Sequence, residues 1–103
     1  MTLAEWYFDK STSAKDLTDE QFSELIVSLD FDLREIELEN GVKIYYLVDM
    51  QRANLGNIEQ DIFYANHSDY SYKPTKDEMW TDIKDQIISR LETYLYDYFE
   101  RDD

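Results

Sequence analysis

The sequence predicts an α+β fold: short N-terminal helices, a three-stranded antiparallel sheet with an Asn-Gly hairpin, and a long C-terminal amphipathic helix. Three stretches carry that prediction. From Pro74 to Asp103, the residues Trp80, Ile83, Ile87, Leu91, Tyr94, Leu95 and Tyr98 recur at steps of three and four, which keeps them on one face of a helix. Asn40-Gly41 separates two strand-like runs and is the preferred pair for a two-residue type I′ turn, where both positions need positive φ. Asp16 to Leu29 carries Phe22, Leu25, Ile26 and Leu29 as a stripe behind Thr18 and Gln21, a capping box whose two side chains satisfy each other's backbone N–H groups.

In chain order, Thr2 and Glu5 repeat the capping-box spacing, so a short helix is expected from Leu3 to about Lys10. Ser11-Thr12-Ser13 reads as a connector. In the Asp16–Leu29 helix, Leu17 before the cap can pack on Phe22, a hydrophobic staple. Asp19 and Glu20 lie in the first turn, where the helix dipole favours negative charge.

Phe31 to Val48 then forms the hairpin. Its second run, Val42 to Val48, is almost wholly apolar and reads as a central strand covered on both faces. The first run alternates: Ile36 and Leu38 point one way, Glu35, Glu37 and Glu39 the other. A two-residue turn places Ile36 opposite Tyr45 and Glu37 opposite Ile44. Asp49 to Asn57 is a polar connection with room for a helical turn, Gly56-Asn57 is a turn signal, and Ile58 to Ala65 is the third strand. Asn66 to Lys73 is a tyrosine-rich loop. Thr75 caps the last helix, with Glu78 as its box partner. Three strands cannot bury both faces alone. The C-terminal helix is expected on one face and the N-terminal helices on the other side or at an end. No repeat, linker or low-complexity tract divides residues 1–103, so the chain reads as a single domain.

Charge is the strongest compositional fact. Twenty-four acids against ten bases give −14. Such a chain is repelled by nucleic acid and anionic membranes and attracted to basic proteins. The absence of cysteine excludes disulfides, thiolate metal sites and cysteine nucleophiles, and fits a cytoplasmic location. The N-terminus lacks the basic start and apolar run of a secretory signal. No stretch approaches the roughly 18 apolar residues of a membrane span.

The chemistry-bearing candidates are few. His67 is the only histidine and has no second imidazole to complete a ligand set, so a solvent-facing loop position is expected and no metal. Asp30 and Asp32 lie on one side of an extended segment, and paired carboxylates can do acid–base work or hold magnesium. No cleft-forming or substrate-positioning motif accompanies them, and Ser11, Ser13 and Ser68 lack a nucleophile elbow. The expectation is a non-enzyme without a cofactor or small-molecule ligand.

The acids themselves are more informative. At about 100° per residue, the face opposite the apolar stripe collects Glu78, Asp82, Asp85, Glu92, Glu100 and Asp103, with Ser89 and Tyr96 between. From Glu78 to Glu100 the row spans about 33 Å. Its carboxylates lie roughly 5–10 Å apart, a coarse imitation of a phosphate row. Glu35, Glu37 and Glu39 form a second row, which also blunts a sheet edge against aggregation. Tyr96 on the acidic face and Tyr70 and Tyr72 in the loop are candidate anchors, since tyrosine offers a large rigid area with a polar tip.

With these features the chain resembles the small, acidic, cysteine-free, tyrosine-rich proteins of phages and mobile elements that inhibit host defence, anti-CRISPR proteins being the best-known group. The resemblance rests on Glu78, Asp82, Asp85, Glu92, Glu100 and Asp103, on Glu35, Glu37 and Glu39, and on composition. It implies a stoichiometric inhibitor of a basic nucleic-acid-processing enzyme that blocks nucleic-acid loading or PAM reading. The competing expectation is a small regulatory, immunity or accessory module whose acids only keep it soluble, with a second copy of the chain as an alternative cover for the acidic face.

Overall fold

A computed structural model describes residues 1–39, 42–56, 60–65, 68 and 70–100. The Asn40-Gly41 turn, Asn57 and Ile58, His67 and Asp103 lie outside the described residues. The elements are α1 (Leu3–Phe8), a 3₁₀ turn (Ala14–Asp16), α2 (Asp19–Ser28), β1 (Phe31–Glu37), β2 (Lys43–Asp49), α3 (Met50–Asn54), β3 (Gln60–Tyr64), α4 (Lys76–Arg90) and α5 (Glu92–Phe99). The fold is α+β, with one antiparallel sheet in the order β1-β2-β3.

The helix starts follow their caps. Thr2, Thr18 and Thr75 accept the N–H of Glu5, Gln21 and Glu78, each at 3.1 Å. Gln21 and Glu78 accept in return from the N–H of Thr18 (3.2 Å) and Thr75 (3.3 Å). α1 stops at Phe8, short of Lys10, because Asp9 turns its carboxylate onto the Ser11 N–H and hydroxyl, a local bond that competes with helix. α2 begins at Asp19, directly after the expected Thr18 cap, and Asp16 and Leu17 lie outside it. Asp16 closes a separate 3₁₀ turn by accepting the Ser13 N–H at 2.7 Å.

α2 is followed by Asp30, whose φ of 63° lies in the left-handed region that terminates many helices. Asp30 is therefore not the extended partner of Asp32 that the sequence suggests. Asp32 itself is engaged by Arg34 at 2.9 Å.

The hairpin register differs by one residue from expectation. Ile36 faces Ile44, Glu37 faces Lys43 and Glu35 faces Tyr45. The Leu38 N–H bonds the Val42 carbonyl at 2.9 Å, in phase with that register. A one-residue shift exchanges the faces: Glu35, not Ile36, lies beside Tyr45, so Glu35 and Glu37 share the face of Tyr45 and Leu47 while Ile36 lies on the other.

The helices share a single core. Trp6, Phe22, Leu25, Ile83, Ile87 and Leu91 are all buried with Leu47 and Phe63 of the sheet. Alternation along the strands puts Phe31, Leu33, Tyr45, Leu47 and Phe63 on that same face. On the opposite face Ile36, Leu38, Ile62 and Tyr64 are 42–62 % exposed. Val48, beside α3 at the end of β2, is buried on that side, but the strand as a whole is not. The expectation that β2 is covered on both faces is thus overturned: the N-terminal helices pack beside the C-terminal ones. The reason lies in aromatic contacts that draw them together. Trp80 of α4 meets Phe22 of α2 edge-on at 5.7 Å and Tyr45 of β2 at 5.0 Å, and Tyr7 of α1 meets Phe99 of α5 at 4.7 Å.

The long C-terminal helix is interrupted. Leu91, 1 % exposed, ends α4 and begins α5 with φ −91° and ψ 7°. Tyr94 packs edge-on against Phe31 at 5.0 Å as its spacing predicts, but Tyr98 is 53 % exposed and lies outside the core.

Lys84 is buried among these apolar side chains, 4 % exposed. Its Nζ donates to the Leu17 carbonyl at 3.1 Å, sits 3.9 Å from Asp19 and lies 5.9 Å from the centroid of the Trp80 ring. Lys84→Met keeps the stem but leaves the Leu17 carbonyl without this donor. We expect a loss of about 1–3 kcal/mol, the cost of an unsatisfied buried acceptor, measurable by urea unfolding.

Candidate protein-interaction surface

The α4 carboxylates are placed by the cap and the helix period. The box fixes Glu78 at the third helical position, and Asp82 and Asp85 follow at steps of four and three along the same side. Glu78 is half-buried, while Asp82 and Asp85 are exposed.

The loop before α4 folds onto this stripe. The Tyr72 hydroxyl donates to Glu78, and the Tyr70 hydroxyl donates to Asp82. Their rings meet edge-on at 5.9 Å. Tyr64, Ala65, Tyr70, Asp82, Asp85 and Gln86 line a cleft of about 210 Å³. Two carboxylates beside two phenol rings make a surface suited to a cationic side chain.

Beyond Leu91 a second stripe begins. Glu92, Tyr96 and Glu100 are exposed and spaced at steps of four. Tyr7 of α1 donates to Glu100 at 2.6 Å. That bond, with burial and the further negative charge of Glu92, pushes the Tyr7 phenol up to about 12. The expected single row from Glu78 to Glu100 is therefore two stripes on two helices.

The chain's own ion pairs lie elsewhere. Arg34 pairs with Asp32, Lys43 with Glu35 (3.1 Å), Arg52 with Asp49 and Arg90 with Asp61 (2.8 Å). Among the described residues, no lysine or arginine pairs with Glu78, Asp82, Asp85, Glu92 or Glu100. The Glu35, Glu37, Glu39 row is separate from these stripes. Glu35 is already paired, while Glu37 and Glu39 are exposed.

No protein-family model, curated protein or solved structure matches this chain. Among the described residues, no group of three or more histidines and carboxylates is placed to hold a metal ion, and no helix is long and apolar enough to cross a membrane.

The tyrosine–carboxylate pairs are absent from the sequence reading, in which Tyr70 and Tyr72 stand as free anchors. Their nearness in the chain to the first turns of α4 is the signal that points to two of these pairs. The Tyr7–Glu100 pair spans 93 positions and has no local signal.

The Tyr72–Glu78 bond gives a pH dependence. The Tyr72 hydroxyl, then the Thr75 N–H, holds Glu78 below its ordinary value of 4.5. The same bond, with some burial, holds Tyr72 above its ordinary value of 10.0. A depressed carboxylate stabilises the fold above its unfolded value and loses this as pH falls through the folded one; a raised phenol loses its share as pH rises. The stability gap between the native chain and Tyr72→Phe should therefore be flat through neutral pH, and close as pH falls below the ordinary glutamate value of 4.5 and as it rises above the ordinary tyrosine value of 10.0. Thermal melts across that range check it.

Proposed function

We propose that this protein is a non-enzymatic acidic inhibitor that binds a basic nucleic-acid-processing protein, with a CRISPR effector nuclease as one such target. It blocks nucleic-acid access by presenting carboxylates where phosphates would sit. The observation that carries this reading is the absence of an internal cation partner, among the described residues, for the five helical acids. They remain available to lysine and arginine of another protein, with Tyr96 exposed among them as an anchor. The cleft beside Tyr70, about 210 Å³, is smaller than the roughly 300–1,000 Å³ of typical small-molecule sites, which also favours a surface interaction. Such an inhibitor would act in the cytoplasm, where its target works.

One observation favours a second reading. Three of the carboxylates hold the fold's own tyrosines, Tyr7, Tyr70 and Tyr72. A regulatory, immunity or accessory module needs no more of its acids than that and solubility.

The deciding experiment is capture from a bacterial lysate at low salt, with elution by a salt gradient and by competing duplex DNA. Exposed charges are screened within about 8–10 Å at ordinary ionic strength, so the inhibitor reading requires a basic nucleic-acid enzyme released by both. A partner insensitive to salt and DNA would establish the second reading instead.

A further inference from the structure

We infer that the outer edge of β1 is a docking site for an extended segment of alternating basic and apolar residues, which adds to the sheet as a fourth strand. This rests on the reading above only in taking the partner to be basic.

The backbone supplies the first half of the argument. β1 is an edge strand that pairs with β2 alone. The Leu38–Val42 bond makes that pair, and alternate pairs back along the ladder, the hydrogen-bonded ones. Asp30 and Met50, eight residues earlier and later, keep the same phase at 3.0 Å. The remaining residues, Leu33, Glu35 and Glu37, therefore turn their N–H and C=O groups outward. Among the described residues, nothing bonds those backbone groups. The strand is half-buried from Phe31 to Leu33 and exposed from Arg34 onward, so the distal half of the edge is open.

Side-chain chemistry selects the occupant. On the helix-bearing face the distal edge shows Glu35 and Glu37, Glu35 already paired with Lys43 of β2 and Glu37 without a cation of its own among the described residues; on the other face it shows Ile36 and, just beyond the strand, Leu38, beside the exposed Ile62 and Tyr64 of the same sheet. An added strand places every second side chain beside each row. Cross-strand pairs of opposite charge stabilise and like charges destabilise. The complement is thus basic on one face and apolar on the other. A second copy of β1 fails the same test, because it would set one glutamate row against another on a chain of net charge −14. The arrangement belongs to strand addition, in which main-chain bonds give affinity and alternate side chains give specificity.

The test uses the full chain and two synthetic peptides of equal composition, one alternating (Lys-Val-Arg-Val-Lys-Val) and one blocked (Lys-Arg-Lys-Val-Val-Val). The alternating peptide should bind about tenfold more tightly and protect the Leu33, Glu35 and Glu37 amides from hydrogen exchange. Glu37→Pro removes an outward N–H without cutting a β2 bond and should abolish that protection while circular dichroism stays native. Glu37→Lys with Glu39→Lys should shift the preference to an alternating acidic peptide.

Equal binding of both peptides without amide protection would overturn the proposal. So would self-association that protects the same three amides, since it would assign the edge to a second copy. The result is separable from the inhibitor reading. Peptide binding that survives Asp82→Asn with Asp85→Asn supports the edge whether or not a nuclease is ever captured.

Discussion

Replacing Phe22 with alanine should cost the fold about 3–5 kcal/mol, the range for deleting a buried aromatic ring. Phe22 is 1 % exposed and carries the edge-on contact with Trp80. It is buried in the same cluster as Leu17, itself 2 % exposed, which holds the staple position before the α2 cap. The cavity would open where α2, α4 and β2 converge, and none of these can move inward without disturbing the other two. A domain of this size has about 5–15 kcal/mol in total, and each kcal/mol lowers the melting temperature by about 4–8 °C. Phe22→Ala should therefore melt tens of degrees lower in calorimetry. Phe22→Leu, which keeps most of the volume, should recover more than half of the loss. A drop of only a few degrees for the alanine variant would mean that the core closes around Trp80 without Phe22.

The second large effect concerns binding. The triple variant Asp82→Asn, Asp85→Asn, Glu92→Gln removes three negative charges and keeps the side-chain shapes. The amide oxygen that Asp82→Asn introduces can still accept the Tyr70 hydroxyl, and the cap at Thr75 is untouched. The fold should be as stable as the native one, or slightly more so, because three like charges on one side of two helices repel. Affinity for the basic partner should fall about ten- to a hundredfold, the sum of three exposed ion pairs. The salt dependence of binding should become shallower with it. A triple variant that melts natively and binds unchanged would show that the helical acids face away from the partner.

Much of the fold is legible in the sequence because its signals are local. Three threonine caps and their partners lie within four residues of one another, and each starts a helix where the spacing predicts. The amphipathic period of α4 places Ile83 and Ile87 in the core and Asp82 and Asp85 in solvent without knowledge of any neighbour. The features that are not legible are those decided by distant contacts. The break at Leu91 has no glycine or proline to announce it, and leucine is an ordinary helix former. The open sheet face hides behind the apolar run of β2: Ile44 and Tyr46 read as buried, but strand pattern alone does not say whether a helix arrives on both sides. The hairpin register departs from expectation by one residue, since the alternation within each strand does not fix which residues meet across the ladder. At the candidate surface the acidic positions are legible, and their tyrosine partners are not. A lysine inside a helix likewise carries no mark of burial; Lys84 is explained only by the Leu17 carbonyl and the Trp80 ring that meet it from 67 positions away and from the preceding turn.

The contacts that tie the first third of the chain to the last helices also bear on how the chain folds. Trp80–Asp19, Lys84–Leu17, Phe31–Tyr94 and Tyr7–Glu100 each join residues more than 60 positions apart. The strand pairs, by contrast, are closed by nearer neighbours. During synthesis α1 and α2 emerge with their apolar sides uncovered, since the sheet face they rest on is shared with helices not yet made. The core includes Ile83, Ile87, Leu91 and Leu95 of the last helices, so it cannot be completed before they are present. Contacts of such long separation are slow to form, and the growing chain must stay in solution until then. Its dense negative charge, which repels other chains at every stage, serves that interval as well as the finished molecule.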